Sequence, residues 1–130
     1  MHPGAVARTL ELSASAGTAR PARAVVRDLC MSASLGEDVS EAAVLLTTEL
    51  VMNALQHGGG RALVDAALVD GALRVTVADD DPTEPTPKAS PESLDSERGR
   101  GLVLVAAMAS RWGTRPLGDG KSVWFELDPA

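Results

Sequence analysis

The segment TTELVMNALQH, residues 47–57, is the most informative part of this chain. It belongs to a run without Gly or Pro over residues 41–57, which three glycines at 58–60 end, so the run predicts a helix. Because a step of four residues advances by only about 40° around a helix, Glu49, Asn53 and His57 lie along one side. Apolar residues occupy most of the remaining circumference. The predicted helix therefore carries an acid, an amide and an imidazole in one narrow stripe.

This polar stripe has two interpretations. It is either the solvent face of an ordinary amphipathic helix or the wall of a pocket. Two features elsewhere favour the pocket. Asp79 ends the alternating strand 72–78, and the glycine pair Gly99-x-Gly101 begins an apolar helix after a long loop. Glycines at a helix N-terminus expose backbone N–H groups and the positive end of the helix dipole, which suits phosphate.

The other elements follow from periodicity and from turn residues. We expect a strand at 5–12, a helix at 19–34 with Gly36 as its C-cap, and a hairpin of strands 61–69 and 72–78 around Asp70-Gly71. A helix at 102–108 and strands at 112–115 and 121–127 complete the chain. Residues 80–98 contain four of the eight prolines and few apolar residues. Such a long irregular segment is typical of a lid.

Composition limits the class of protein. The chain has 130 residues, 12 Lys and Arg against 18 Asp and Glu, and a net charge of −6. An acidic chain of this kind is a poor partner for nucleic acid or for an anionic membrane. The single cysteine, Cys30, excludes an internal disulfide and is interpreted as a core residue. No membrane span or signal peptide is evident, so we expect one cytoplasmic domain over residues 1–130.

With these motifs in place, the sequence resembles the GHKL (Bergerat-fold) ATP-binding domains. Within that superfamily it is most similar to bacterial anti-sigma-factor serine/threonine kinases and to small actinobacterial histidine-kinase-like proteins. The resemblance covers nearly the whole chain. It rests on ELVMNALQHG at 49–58, VTVAD at 75–79, GRGLVLV at 99–105 and GKSVWFEL at 120–127. It implies an α/β two-layer sandwich, with helices on one face of a mixed, mainly antiparallel sheet of four or five strands.

The resemblance also implies roles for particular residues. Asn53 matches the asparagine that holds Mg²⁺ on the phosphates of ATP, a role suited to a hard amide oxygen. Glu49 matches the general base, and Asp79 the acceptor for the adenine amino group. Gly99 and Gly101, followed by Leu102, match the second glycine box, which forms the hinge of the ATP lid at 80–98. His57 matches a residue at the pocket rim, although a histidine that bonds the helix C-terminus explains it equally well.

Three positions depart from the pattern of the superfamily. Asp81 and Thr83 stand where many members carry the first pair of glycines. Lys121 stands where many members have Thr, and it either reaches a phosphate or extends to the pocket rim. These departures bear on the strength of nucleotide binding more than on the fold.

The function that the resemblance implies is that of an ATP- and Mg²⁺-dependent protein serine/threonine kinase. It would bind a sigma factor and phosphorylate an anti-sigma-factor antagonist, and homodimerisation is a further expectation. The degenerate first glycine box leaves a second reading open, a regulatory module that binds nucleotide weakly or not at all. A hydrolase is a third reading, because water can replace the serine hydroxyl.

Overall fold

The computed structural model describes residues 6–13, 19–57, 59–81 and 97–129. Within these ranges it forms eight elements: β1 (Val6–Ser13), α1 (Arg20–Ser32), α2 (Glu37–His57), β2 (Arg61–Val69), β3 (Ala72–Asp79), α3 (Glu97–Met108), β4 (Arg111–Leu117) and β5 (Gly120–Leu127). The strands form one sheet in the order β1-β2-β3-β5-β4. The three helices pack on one face of it, so the predicted two-layer sandwich is confirmed.

The sheet is antiparallel at every pairing in the described part of the chain. The prediction of a mixed sheet is therefore wrong in that detail. Two of these four pairings follow directly from the connections. Tight turns join β2 to β3 and β4 to β5, and a turn of two residues reverses the chain and can only produce an antiparallel neighbour. At the β2–β3 turn Asp70 and Gly71 have φ values of 52° and 84°, as a type I′ hairpin requires.

The core lies between the helices and the sheet and is aliphatic except for Phe125 and Cys30. Its largest fully buried side chains come from both layers, with Leu29 and Leu46 on the helices and Leu73 and Phe125 on the strands. Along β3 the buried residues alternate with exposed Arg74 and half-buried Thr76, which is the pattern of a sheet with one wet face. Cys30 is 2% exposed and belongs to this core, as predicted. Burial raises the pKa of its thiol.

Two helix boundaries differ from the sequence prediction. The end of α1 is closed by Ser34 in the left-handed region, at φ 53°, rather than by Gly36. The N–H of Leu35 donates to the carbonyl of Cys30 and the N–H of Ser34 to that of Met31, which is the Schellman pattern. Consequently α2 begins already at Glu37, with two acids in its first turn, where the helix dipole favours negative charge.

The predicted lid at 80–98 lies mostly outside the described residues, which include only its first two and last two positions. Within the part that is described, no helix is long and apolar enough to cross a membrane.

Candidate functional site

The polar stripe of α2 is not uniformly exposed. Glu49 and Asn53 are half-buried, whereas His57 is exposed in the last turn of the helix. Their neighbours Leu50 and Ala54 are almost completely buried, at 3% and 2% exposure. The structure therefore separates the predicted stripe into two parts. The acid and the amide lie at the junction with other elements, and the imidazole lies at the helix end, outside the cavity described below.

The junction is formed by Gly101 of α3. A Cβ built on Gly101 would lie 2.7 Å from Nδ2 of Asn53 and 3.4 Å from Cβ of Glu49. A side chain at position 101 would therefore displace the amide of Asn53, whereas it would make only close contact with Glu49. The sequence predicts Gly101 at the start of a helix, where its N–H group would be free.

The helix instead begins at Glu97, four residues earlier. Gly99 lies in its first turn, where N–H groups have no partner within the helix, but Gly101 is already in the second turn. Its function in the fold is therefore close packing against Asn53, not the donation of a free N–H group.

A small cavity lies between α2, α3 and the sheet. It is lined by Leu50, Asn53, Val77, Asp79, Leu102, Lys121 and Val123. Four of the predicted site residues are in this set, so the structure brings Asn53, Asp79, Leu102 and Lys121 around one space. Its volume is about 30 Å³, which is room for only a few water molecules. The apolar wall residues Leu50, Val77 and Val123 were not predicted, since any buried aliphatic residue looks alike in a sequence.

Asp79 and Lys121 form a buried ion pair at one end of this cavity. They are Cα partners across β3 and β5, and their side chains are 10% and 7% exposed. Nζ of Lys121 donates to both carboxylate oxygens of Asp79, at 3.0 and 2.9 Å, and to the backbone carbonyl of Asp81, at 3.0 Å. An ammonium group has three donors. All three are used here.

In this structure the Lys121 side chain is turned inward to Asp79 instead of extending to the rim. It also changes the surroundings of Asp79, whose Oδ1 additionally accepts the N–H of Asp81 at 2.9 Å. The acid between them in the sequence, Asp80, faces solvent, and its Oδ2 lies 3.5 Å from Nε of Arg61. A lysine on the same strand face as Val123, Phe125 and Leu127 was the available signal, because a buried ammonium needs a buried anion.

Gly120 accounts for the closeness of the two strands at this point. A Cβ on Gly120 would collide with the backbone carbonyl group of Asp79. Only glycine permits this approach, which places the next residue, Lys121, directly opposite Asp79.

A sequence model of the family described as histidine kinase-like ATPase domain matches residues 12–126. This chain belongs to that family. The match runs from the end of β1 to the penultimate residue of β5, so it includes every residue of the candidate site.

Two individual comparisons show further similarities of this chain. The chain is 35% identical over 82 residues to an uncharacterized protein of Streptomyces coelicolor, covering 61% of this chain and 78% of that protein. It also superimposes on the crystal structure of the RsbU and RsbW domains of Rv1364c from Mycobacterium tuberculosis with a TM-score of 0.70 and 22% identity. The superposition covers 95% of this chain and about a third (32%) of that longer chain. At this identity the second comparison shows the fold.

The family implies ATP, and the two ends of the site fit it differently. At the α2–α3 end, the amide of Asn53 and the carboxylate of Glu49 lie next to the beginning of a helix, a setting suited to Mg²⁺ and phosphate. Within the described ranges no three His, Cys, Asp or Glu side chains cluster, so a metal here would depend on Asn53 and on phosphate oxygens. At the sheet end, the carboxylate that should accept a base amino group is already bonded to Lys121.

Proposed function

We propose that this chain is an ATP-dependent protein serine/threonine kinase of the anti-sigma-factor type, which acts in the cytoplasm. The observation that supports this best is the placement of Glu49 one turn before Asn53, with both packed against Gly101 of α3. A domain that only bound nucleotide would need the metal ligand but would not need an acid beside it. The sequence resemblance over residues 49–58 supports the same choice.

In this proposal each residue has one task. Asn53 would hold Mg²⁺ through its amide oxygen, and the bound metal would neutralise charge on the phosphate groups. Glu49 would take the proton from the attacking serine or threonine hydroxyl, as a general base must lie within hydrogen-bond reach of that proton. The first turn of α3, which contains Gly99, would offer free N–H groups to the phosphates.

The partners belong to the proposal as well. By resemblance to anti-sigma-factor kinases, this chain would bind a sigma factor in one state. The kinase would then exchange the sigma factor for an anti-sigma-factor antagonist, the protein that the kinase phosphorylates. Homodimerisation remains an expectation of the same resemblance.

A specific observation favours a second candidate, a regulatory module that works without nucleotide. The cavity is about 30 Å³, far below the roughly 300–1,000 Å³ of ordinary ligand pockets. The Asp79 carboxylate, which is expected to accept the amino group of the nucleotide base, is already hydrogen-bonded to Lys121. A protein of this kind would regulate its partner through surface contacts alone.

Transfer of label from γ-labelled ATP to an anti-sigma-factor antagonist of the same genome separates these functions. The kinase predicts labelling that depends on Mg²⁺ and that Glu49→Ala slows by about 10²–10⁴-fold, the usual contribution of a general base. Glu41→Ala, on an exposed part of the same helix, serves as the control. Full activity of Glu49→Ala would end the general-base assignment. Absence of labelling would favour the regulatory module, and phosphate release without any partner would indicate a hydrolase.

A further inference from the structure

The space that should receive the nucleotide base is held by Lys121. Asp79 is the residue expected to accept the adenine amino group, and its carboxylate lies at the end of the cavity between α2, α3 and the sheet. Nζ of Lys121 takes both carboxylate oxygens, at 3.0 and 2.9 Å. It thereby makes the interactions that an amino group of the ligand would make.

The ammonium group is fully satisfied in this position. Its third donor bonds the carbonyl of Asp81 at 3.0 Å, and the side chain is 7% exposed. A base that approached Asp79 would have to displace this cation and would offer a neutral donor in its place. The exchange would replace an ion pair by a bond between a neutral donor and the same carboxylate, and it would lose the attraction between the two charges, so it disfavours the base.

Stability gives no sufficient reason for the pair. Buried ion pairs are often no more stabilising than apolar residues of similar volume, and the surrounding walls, Leu50, Val77 and Val123, are apolar. The cross-strand position of Lys121, fixed by the close approach of Gly120 to Asp79, aims the ammonium at this one carboxylate.

We propose that Lys121 competes with the nucleotide base for Asp79, so that this ion pair sets a low affinity for ATP. The proposal rests on the proposed function, because it concerns the same nucleotide site. It identifies Lys121 as the residue that determines affinity at the base end. The phosphate end, around Asn53 and Gly101, is unaffected by it.

The test compares wild type with Lys121→Thr by calorimetric titration with Mg-ATP, Mg-ADP and inorganic tripolyphosphate. The substitution removes the competitor and leaves Asp79 as an acceptor without its cation. We expect ATP and ADP to bind at least tenfold more tightly and tripolyphosphate to bind as in wild type. Arg115→Thr is the matched control, since it removes the same charge from an exposed position of the neighbouring strand β4. It should leave all three affinities unchanged.

The outcomes are distinct for the two proposals. Equal ATP affinity in wild type and Lys121→Thr, or no binding by either, would overturn the competition by Lys121. A gain that tripolyphosphate and Arg115→Thr share would also overturn it, because the cause would then be general charge. The proposed kinase would fail separately if the tighter-binding variant transferred no phosphate to the antagonist. If Lys121→Thr does not fold, as judged by circular dichroism, Lys121→Gln removes the charge but keeps a neutral donor on Asp79, and it should show a smaller gain in the same direction.

Discussion

Gly101 and Asn53 lie so close together that a side chain at position 101 would displace the Asn53 amide. A Cβ at position 101 would come within 2.7 Å of Nδ2 of Asn53, well inside ordinary van der Waals contact. This contact links the second turn of α3 to the C-terminal part of α2. It means that the position of the amide, the group expected to hold the metal, depends on a residue of another helix.

The first prediction concerns this contact. Gly101→Ala should push the Asn53 amide aside, because the end of a side chain yields more easily than the backbone of α3. Mg-ATP affinity should fall by about tenfold or more, the equivalent of one lost interaction of about 1.4 kcal/mol. The fold should be retained, and the free energy of unfolding should rise by up to about 1 kcal/mol, since alanine is a better helix former than glycine.

Calorimetry together with thermal unfolding checks both halves of this prediction. Ala107→Gly, an exposed position of the same helix, controls for a change in helix propensity alone and should leave binding intact. Unchanged Mg-ATP affinity in Gly101→Ala would show that the amide of Asn53 is not positioned by this contact.

The second prediction concerns the stability of the Asp79–Lys121 pair. Asp79→Asn or Lys121→Met should each lower the free energy of unfolding by about 3–5 kcal/mol, because each leaves the other member of the pair as a buried charge without its counter-ion. Replacing both residues by Leu should restore stability to near that of wild type. Urea unfolding of the three variants measures this. Purely additive losses in the double variant would contradict the buried pairing.

The third prediction concerns acid stability and the outer face of the sheet. Glu126 on β5 lies between its cross-strand partners Arg111 on β4 and Arg74 on β3. Each arginine donates through Nε to one carboxylate oxygen, at 2.6 Å. The hydrogen bond from Arg111, and then that from Arg74, lowers the pKa of Glu126 below its ordinary value of 4.5.

A lowered folded-state pKa means that the unfolded chain takes up this proton first. The stabilisation by Glu126 is therefore present above about pH 4.5 and is lost as the pH falls towards the folded pKa. Glu126→Gln should lower Tm at pH 7 and make the decline of Tm below about pH 5 shallower. Glu41→Gln, at an exposed position of α2, should leave the acid profile as in wild type. A profile of Glu126→Gln parallel to wild type would contradict the assignment.

Much of the fold could be predicted because its signals are local. The glycines after His57, the Asp70-Gly71 turn and the alternation along β3 each depend on a few neighbouring residues. The start of α3 could not be predicted, since residues 97–100 read as an extension of the Pro-rich segment. The same holds for the end of α1, where Ser34 took the left-handed conformation expected of Gly36.

The candidate site shows a different limit. The polar stripe revealed Glu49 and Asn53 because both lie on one helix. The partner of Lys121 could not be predicted, because it depends on the register between β3 and β5. The end of β3 at Asp79 and the start of β5 at Gly120 are 41 positions apart, and no local signal indicates their pairing. A lysine on a buried strand face predicts some anion but does not say which.

Asn53 is proposed to hold Mg²⁺ for a nucleotide between α2 and α3, and calorimetric titration of wild type and Asn53→Ala with ATP, with and without Mg²⁺, tests this role most directly. We predict Mg²⁺-dependent binding by wild type, weak because of Lys121, and no Mg²⁺-dependent binding by Asn53→Ala with its fold intact. If Asn53→Ala binds Mg-ATP as wild type does, this face of α2 is not the metal site and the account is wrong.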